Sequence, residues 1–173
     1  MTTLLGNRPL SLIIAIAIPF VGALPATMAT QPQLKKDGWY QSLKKPSWTP
    51  PNYLFPPVWT FLYASMGYAS FRIYDVISES PSIDPTLPLA LYATQLGLNW
   101  VWSPVFFGMH RADLGGVIIL GLLGTITATA VEFHKIDETA GLLMIPYIAW
   151  VSLASALNLS IWYNNPTTTK KSK

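Results

Sequence analysis

Along this chain, apolar residues come in long runs separated by short polar clusters, not in alternation with polar residues. Windows free of Asp, Glu, Lys and Arg cover Pro9–Leu34, Pro46–Phe71, Pro85–Met109, Leu114–Val131 and Thr139–Thr169. A helix needs about 20 apolar residues, range about 17–25, to cross a hydrocarbon core about 30 Å thick, so each window is long enough to span. The pattern predicts an all-α, polytopic membrane protein, a five-transmembrane-helix bundle with spans at 10–30, 57–77, 86–109, 114–131 and 139–163. A lid loop over 31–56 and a basic tail over 164–173 complete a single membrane domain covering 1–173.

Prolines and charges set the boundaries. A cleavable leader competes for the first apolar run, since Arg8 precedes it and small residues follow near Ala23–Thr30. The run continues past the length of a leader and contains Pro19 and Pro25, which favours a retained, bent helix. Pro56 and Pro57 suit the first turn of the second span, where a missing N–H leaves nothing unpaired. Asp75, Glu79 and Asp84, with Pro81 and Pro85, mark the loop before span three. His110–Asp113 reads as a tight turn, and Glu132–Glu138 as a charged turn that makes span four the shortest.

Composition narrows the function classes. Of 173 residues, 51% are hydrophobic and 11% charged, against about 25% charged in an ordinary soluble domain. That excludes a soluble enzyme, a disordered chain and a nucleic-acid-binding domain, so the +3 net charge is a signal of topology. Arg8, Arg72 and Lys135 fall on one side of the spans, whereas Lys35, Lys36, Lys44, Lys45, Arg111, Lys170, Lys171 and Lys173 fall on the other. The lid loop and the C-terminus are therefore expected to face the cytosol. The absence of Cys removes thiolate chemistry and Cys-based metal sites, and His110 and His134 sit at span edges, so neither a metal nor a cofactor is expected. No span centre holds an ionisable residue, which argues against pumps and ion-coupled carriers. Five spans also do not divide into two inverted halves.

The spans carry aromatic faces with a few amides instead. On span three, Gln95, Asn99 and Trp102 share one side, while Ala93, Gly97 and Pro104 lie opposite, with Ala90 close by. The first side suits a ligand cavity or hydrogen bonds to neighbouring helices. The second is a small-residue seam that suits either a homodimer contact or packing within the bundle. Span five aligns Tyr147, Trp150, Ala154, Leu157, Asn158 and Ile161, and span two aligns Phe55, Trp59, Leu62 and Met66, with Tyr63 at the margin. Such stripes are ordinarily core, yet three of them without ionisable groups suit a cavity for a large, flat, apolar ligand. Trp39 and Trp48 fit an interfacial aromatic belt.

Several blocks resemble a known family. Trp39-Tyr40-Gln41-Ser42-Leu43-Lys44-Lys45-Pro46-Ser47-Trp48-Thr49-Pro50-Pro51, followed by Pro57-Val58-Trp59-Thr60 and Leu62–Tyr68, is similar to the translocator protein family, TspO/MBR, also called the peripheral-type benzodiazepine receptor. Leu91–Leu96 with Leu98–Gly108 resembles that family's third helix, and Pro146–Trp150 with Ala154, Leu157-Asn158 and Ile161-Trp162 its fifth. The resemblance covers nearly the whole chain, in order.

It implies a five-helix bundle, often a homodimer, that binds tetrapyrroles such as protoporphyrin IX, cholesterol, and isoquinoline-carboxamide or benzodiazepine drugs between the helices beneath the first loop. The positions that match the family's pocket are Tyr40, Pro50, Phe55, Trp59, Tyr63, Asn99, Trp102, Trp150, Ala154 and Leu157. The chain departs at the family's cholesterol motif, where Leu159 stands in place of Tyr and no basic residue follows Tyr163 until Lys170. A tetrapyrrole is therefore the stronger expectation, with a sterol as a further ligand and membrane lipid around the bundle. A homodimer is expected through the Ala90/Ala93/Gly97 seam. Three activities compete: a receptor tied to ligand trafficking or stress responses, a light- or oxygen-dependent porphyrin-degrading enzyme using Trp59, Trp102 or Trp150, and a passive sterol or porphyrin transporter. The implied location is the outer mitochondrial membrane in a eukaryote and the plasma (inner) membrane in a bacterium.

Overall fold

The computed structural model describes residues 2–166, with side chains from Arg8 onward, so Lys170, Lys171 and Lys173 lie outside the described residues. Among the described residues there is no strand. The helices are α1 (Thr2–Phe20), α2 (Ala23–Leu34), α3 (Trp39–Ser42), α4 (Phe55–Glu79), α5 (Thr86–Ser103), α6 (Ala112–Ile136), α7 (Glu138–Leu143) and α8 (Ile145–Asn164). Among the described residues three runs, 8–34, 112–136 and 138–164, are long and apolar enough to cross a bilayer.

The bend expected in the first apolar run falls at Val21–Gly22, between α1 and α2. The lid begins later than the pattern predicts, at Lys35 in place of residue 31, because α2 continues through Pro32. Leu34 packs there against the cluster beneath the lid, so tertiary contact carries the helix past its proline. The lid is itself partly helical, with α3 and a 3-10 turn at Asn52–Leu54 before α4. Pro56 and Pro57 occupy the first positions of α4. Pro104 ends α5 in a π turn, Pro104–Gly108, whose wider ring closes with Met109 N–H on the Pro104 carbonyl at 2.9 Å.

Span four is the clearest correction. It is not the shortest run: α6 has 25 residues, as many as α4. Glu132, His134 and Lys135 belong to its last turns, not to a loop. Long charged side chains at a helix end reach outward while their backbone stays helical, so a charge-free window measures hydrocarbon and not helix length. The fifth run breaks at Met144, ahead of Pro146, whose ring nitrogen cannot donate back to the preceding turn.

Around the bundle, α1 packs on α4, α4 on α7 and α8, these on α6, α6 on α5, and α5 on α2. Leu62, Met66, Ile73, Leu122, Ile126, Phe133, Met144 and Tyr147 fill the centre. A second cluster beneath the lid joins Tyr40 and Leu43 to Phe106, Phe107, Leu157 and Ile161. The outside carries exposed Leu10, Ile13, Leu24, Met28, Phe61, Val117 and Ile145, an apolar surface suited to lipid.

The end away from the lid is tied by ions and close backbone contacts. Arg8 of α1 meets Asp75 and Glu79 of α4 at 2.9 and 2.6 Å. Arg72 holds Asp137 in a two-point pair at 2.9 and 2.6 Å, and Asp137 also accepts the Ala140 N–H at the start of α7. That pairing holds the Asp137 carboxyl below the usual carboxylate range.

Candidate functional site

A cavity of about 410 Å³ lies beneath the lid. The lining face of α4 is Phe55, Pro56, Trp59, Thr60 and Tyr63, which recur at one- and four-residue steps down the first turns of the helix. Opposite them stand Ala23, Ala26, Thr27, Thr30, Gln31 and Leu34 of α2, with Phe20 just below the bend. Asn99, Trp102 and Ser103 of α5, Phe107 of the π turn, and Trp150 and Ala154 of α8 form the remaining walls, while Tyr40 and Asn52 reach in from the lid.

Of the ten positions matched to the family's pocket, eight line this cavity: Tyr40, Phe55, Trp59, Tyr63, Asn99, Trp102, Trp150 and Ala154. Pro50 and Leu157 do not reach it. They line a side cleft of about 10 Å³ that shares Phe55, Trp150 and Ala154 with the main chamber.

The aromatic side chains are locked against one another. Trp59 lies 5.3 Å from Tyr63 and 6.1 Å from Tyr147, and Phe55 meets Trp150 edge-on at 5.6 Å. Trp102 stacks on Phe106 at 5.1 Å. Each such pair contributes roughly 0.5–1.5 kcal/mol beyond its area, enough to hold rigid walls.

The polar groups divide into those already bonded and those left open. Tyr63 donates its hydroxyl proton to Asn99 Oδ1 at 3.0 Å, and Asn99 Nδ2 donates to the Tyr147 hydroxyl at 2.8 Å. Asn99 therefore ties α4 to α8 and orients both tyrosines, as the helix-bonding alternative for its face foresees. Trp102 Nε1 donates to Asn158 Oδ1 at 3.1 Å, and Asn158 Nδ2 donates to the Ala112 carbonyl at 2.7 Å. Trp150 differs: its Nε1 is buried with no partner among the described residues. Gln95 is also fully buried, with neither amide atom bonded, and it does not line the cavity.

Tyr40 joins lid to bundle. Its ring meets Phe107 edge-on at 5.3 Å, and Lys45 Nζ sits 4.4 Å from the ring centre while donating to the Tyr40 carbonyl at 2.7 Å. Burial pushes the Tyr40 phenol up to about 12 and lowers Lys45 from its ordinary value. The cavity lining itself holds no charged side chain.

The α2 wall goes beyond what the sequence pattern flags. Thr27, Thr30, Gln31 and Leu34 follow i, i+3, i+4, i+7 spacing, so the few polar residues of an otherwise apolar run fall on one face, and that was the available signal. Tyr147, aligned with Trp150 on span five, completes the Asn99 network without touching the cavity. The Ala90/Ala93/Gly97 seam looks outward. Ala90 and Ala93 are exposed, and a Cβ added at Gly97 meets nothing within 4 Å.

Among the described residues, no three His, Cys, Asp or Glu side chains gather as a metal set. Chemically, the chamber offers flat apolar surface and a rim of hydroxyls and carboxamides.

The comparisons with known proteins agree with one another. The TspO/MBR family model matches residues 15–163. Protein CrtK of Rhodobacter capsulatus is 42% identical over 151 residues, covering 87% of this chain and 92% of that protein. The translocator protein of Homo sapiens is 38% identical over 127 residues, covering 73% of this chain and 75% of its own. The tryptophan-rich sensory protein of Cereibacter sphaeroides is 37% identical, covering 83% and 87%. With helices apolar enough to span a bilayer and a match along most of its length, the chain belongs to the TspO/MBR family of membrane proteins.

Proposed function

We propose that this protein is a membrane receptor that binds tetrapyrroles, protoporphyrin IX in particular, with a sterol or a benzodiazepine- or isoquinoline-type molecule as a further ligand, in support of trafficking or stress responses. One observation carries the proposal: an uncharged chamber of about 410 Å³ walled by Phe55, Trp59, Tyr63, Trp102 and Trp150. A flat macrocycle matches such walls by stacking on the aromatic rings, and the hydroxyls and carboxamides at the rim supply partners for its polar groups.

In this proposal the chain crosses the bilayer five times. The 25-residue α4 and the run through α5 and its π turn supply the two crossings beyond the three most apolar runs. Eight of eleven basic residues flank the lid side, which sets the lid and the C-terminus in the cytosol. The outward small-residue seam at Ala90, Ala93 and Gly97 is the homodimer contact. The host membrane is the outer mitochondrial membrane in a eukaryote and the plasma membrane in a bacterium.

Titrating protoporphyrin IX into the detergent-solubilised protein should give saturable quenching of tryptophan fluorescence, weakened in Trp59→Phe and Trp150→Phe. Quenching that never saturates, or that is the same in both variants, would remove the receptor function. The exposure of Trp59, Trp102 and Trp150 to one chamber also favours a second activity, light-driven oxidation of bound porphyrin by dioxygen with one of these indoles as redox partner. Illuminating the complex separates the two, because a receptor releases its ligand spectrally unchanged.

A further inference from the structure

The first apolar run meets α4 in two different ways. Below the bend the two helices are welded. A Cβ added at Gly67 would stand 2.6 Å from Ile16 Cα and 2.8 Å from the Ala15 carbonyl oxygen, so backbone touches backbone there. Arg8 pairs with Asp75 further down, and Phe20 meets Tyr63 edge-on at 5.3 Å at the bend. Above the bend the packing changes: α2 packs chiefly on α5, the π turn and α3. Continuing the antiparallel register of Arg8–Asp75, Ile16–Gly67 and Phe20–Tyr63 sets Thr27 level with Pro56 and Gln31 level with Asn52. All four of these residues are exposed and all four line the cavity. The chamber therefore opens sideways, through a slot between α2 and the first turns of α4.

The slot is built into the bend. Trp100 of α5 lies so close to Gly22 that any Cβ at residue 22 would overlap its indole ring, and its Nε1 donates to the Pro19 carbonyl at 3.3 Å. That carbonyl is freed because the helix breaks at Val21–Gly22. The indole thus occupies the inner side of the bend and leans α2 toward α5, away from α4.

The surroundings say what passes. On the outer faces beside the slot, Leu24 and Met28 of α2 and Phe61 of α4 are exposed, a surface that meets lipid in a membrane protein. Tyr53 and Trp48, exposed on the lid just above, mark interfacial depth. The slot's own edges carry hydroxyls and carboxamides, Thr27, Gln31, Asn52 and Thr60, with no charge. We propose that this slot is a lateral portal through which a largely apolar molecule dissolved in the bilayer, with its polar end at headgroup level, enters the chamber, and that Trp100 seated on Gly22 holds it open. The route rests on the chamber's being a binding site, as proposed above.

The chain has no Cys, so cysteine pairs can be placed freely. Thr27→Cys/Thr60→Cys and Gln31→Cys/Asn52→Cys variants, folded and reconstituted in phosphatidylcholine vesicles, are bridged across the slot with reducible bis-thiosulfonates of graded length. Protoporphyrin IX binding is followed by tryptophan quenching. Against the same variant left unbridged, bridging should slow association and dissociation at least tenfold and by the same factor, and reduction should reverse it. A Lys44→Cys/Asn165→Cys bridge, which fixes the lid to α8, should leave both rates within twofold. Unchanged rates on bridging the slot, or slowing by the lid bridge alone, overturn the portal while leaving the binding site intact. No protoporphyrin binding to the unbridged variants or to the parent chain overturns both the binding site and its portal.

Discussion

The two ends of this bundle solve opposite problems. At the end away from the lid, helices approach until backbones touch: Gly67 meets Ile16, and Gly141 lies so near His134 that an added Cβ would stand 2.7 Å from its Cα. Charges there are paired, as in Arg8–Asp75 and Arg72–Asp137. At the lid end, the same helices diverge around a chamber of about 410 Å³ whose wall is fixed by the Tyr63–Asn99 bond and by aromatic contacts. Small residues close one end and large aromatic residues hold the other open. The difference teaches that in such a bundle the cavity is a consequence of where the glycines are, as much as of where the tryptophans are.

The largest effect should come from breaking the closed end. Gly67→Ala places a methyl against the Ile16 backbone, which cannot rotate away as a side chain can. Thermal unfolding in detergent should show a loss of about 2–3 kcal/mol. Gly124→Ala on α6, where nothing lies within 4 Å, is the control and should be neutral or stabilising by up to about 1 kcal/mol. Equal losses at both positions would erase the contrast between a welded interface and an open helix face.

Two cavity tryptophans sharpen the comparison within the open end. Trp102→Phe removes the donor to Asn158 Oδ1 and leaves a buried acceptor unpaired, at about 1–3 kcal/mol of stability. Trp150→Phe removes an N–H that bonds nothing and should leave the melting temperature nearly unchanged, while the smaller ring in the cavity wall weakens protoporphyrin IX binding. Matching melts with matching affinities would mean that both indoles serve the wall alone.

Much of this was legible in the sequence, and what was not has specific causes. Charge-free windows located every long helical run, and the aromatic faces of spans two, three and five supplied the α4, α5 and α8 walls. The windows understated α6 because Glu132 and Lys135 remain helical while their heads reach outward and pair at 2.6 Å. The far end of the α2 wall reads as lid from residue 31 because Pro32 and two glutamines resemble loop, although packing of Leu34 beneath the lid holds them in helix. The bend could be placed near Pro19 and Pro25. Its use could not, since Trp100 reaches Gly22 only through the tertiary fold.

Acid should discriminate between the ends next. The Asp137 carboxyl is held low by Arg72 and by the Ala140 N–H. A carboxyl depressed in the folded state contributes stability above its unfolded value, about 3.9, and loses it as pH falls from there through the folded one. Melting temperature should therefore drop as pH is lowered below about 4, and Asp137→Asn should be less stable at neutral pH and flatter across that range. A variant that keeps the full acid sensitivity would assign it to other carboxylates.

The smallest effect should come from the lid. Asn165 pairs with the backbone of Lys44 in both directions, accepting its N–H at 3.0 Å and donating to its carbonyl at 3.1 Å, while also donating to the Ile161 carbonyl at 2.7 Å. One carboxamide thus clamps the lid to the end of α8. Asn165→Ala removes the clamp at a site open to water, where each lost bond costs about 1 kcal/mol or less because solvent replaces it. The Lys44 amide should exchange with solvent about fivefold faster, with global unfolding within about 0.5 kcal/mol of the parent. If ligand passes between α2 and α4, protoporphyrin IX should still dissociate at a rate within twofold of the parent, since the lid then roofs the chamber without gating it. Dissociation accelerated as much as the amide exchange would move the gate from the slot to the lid.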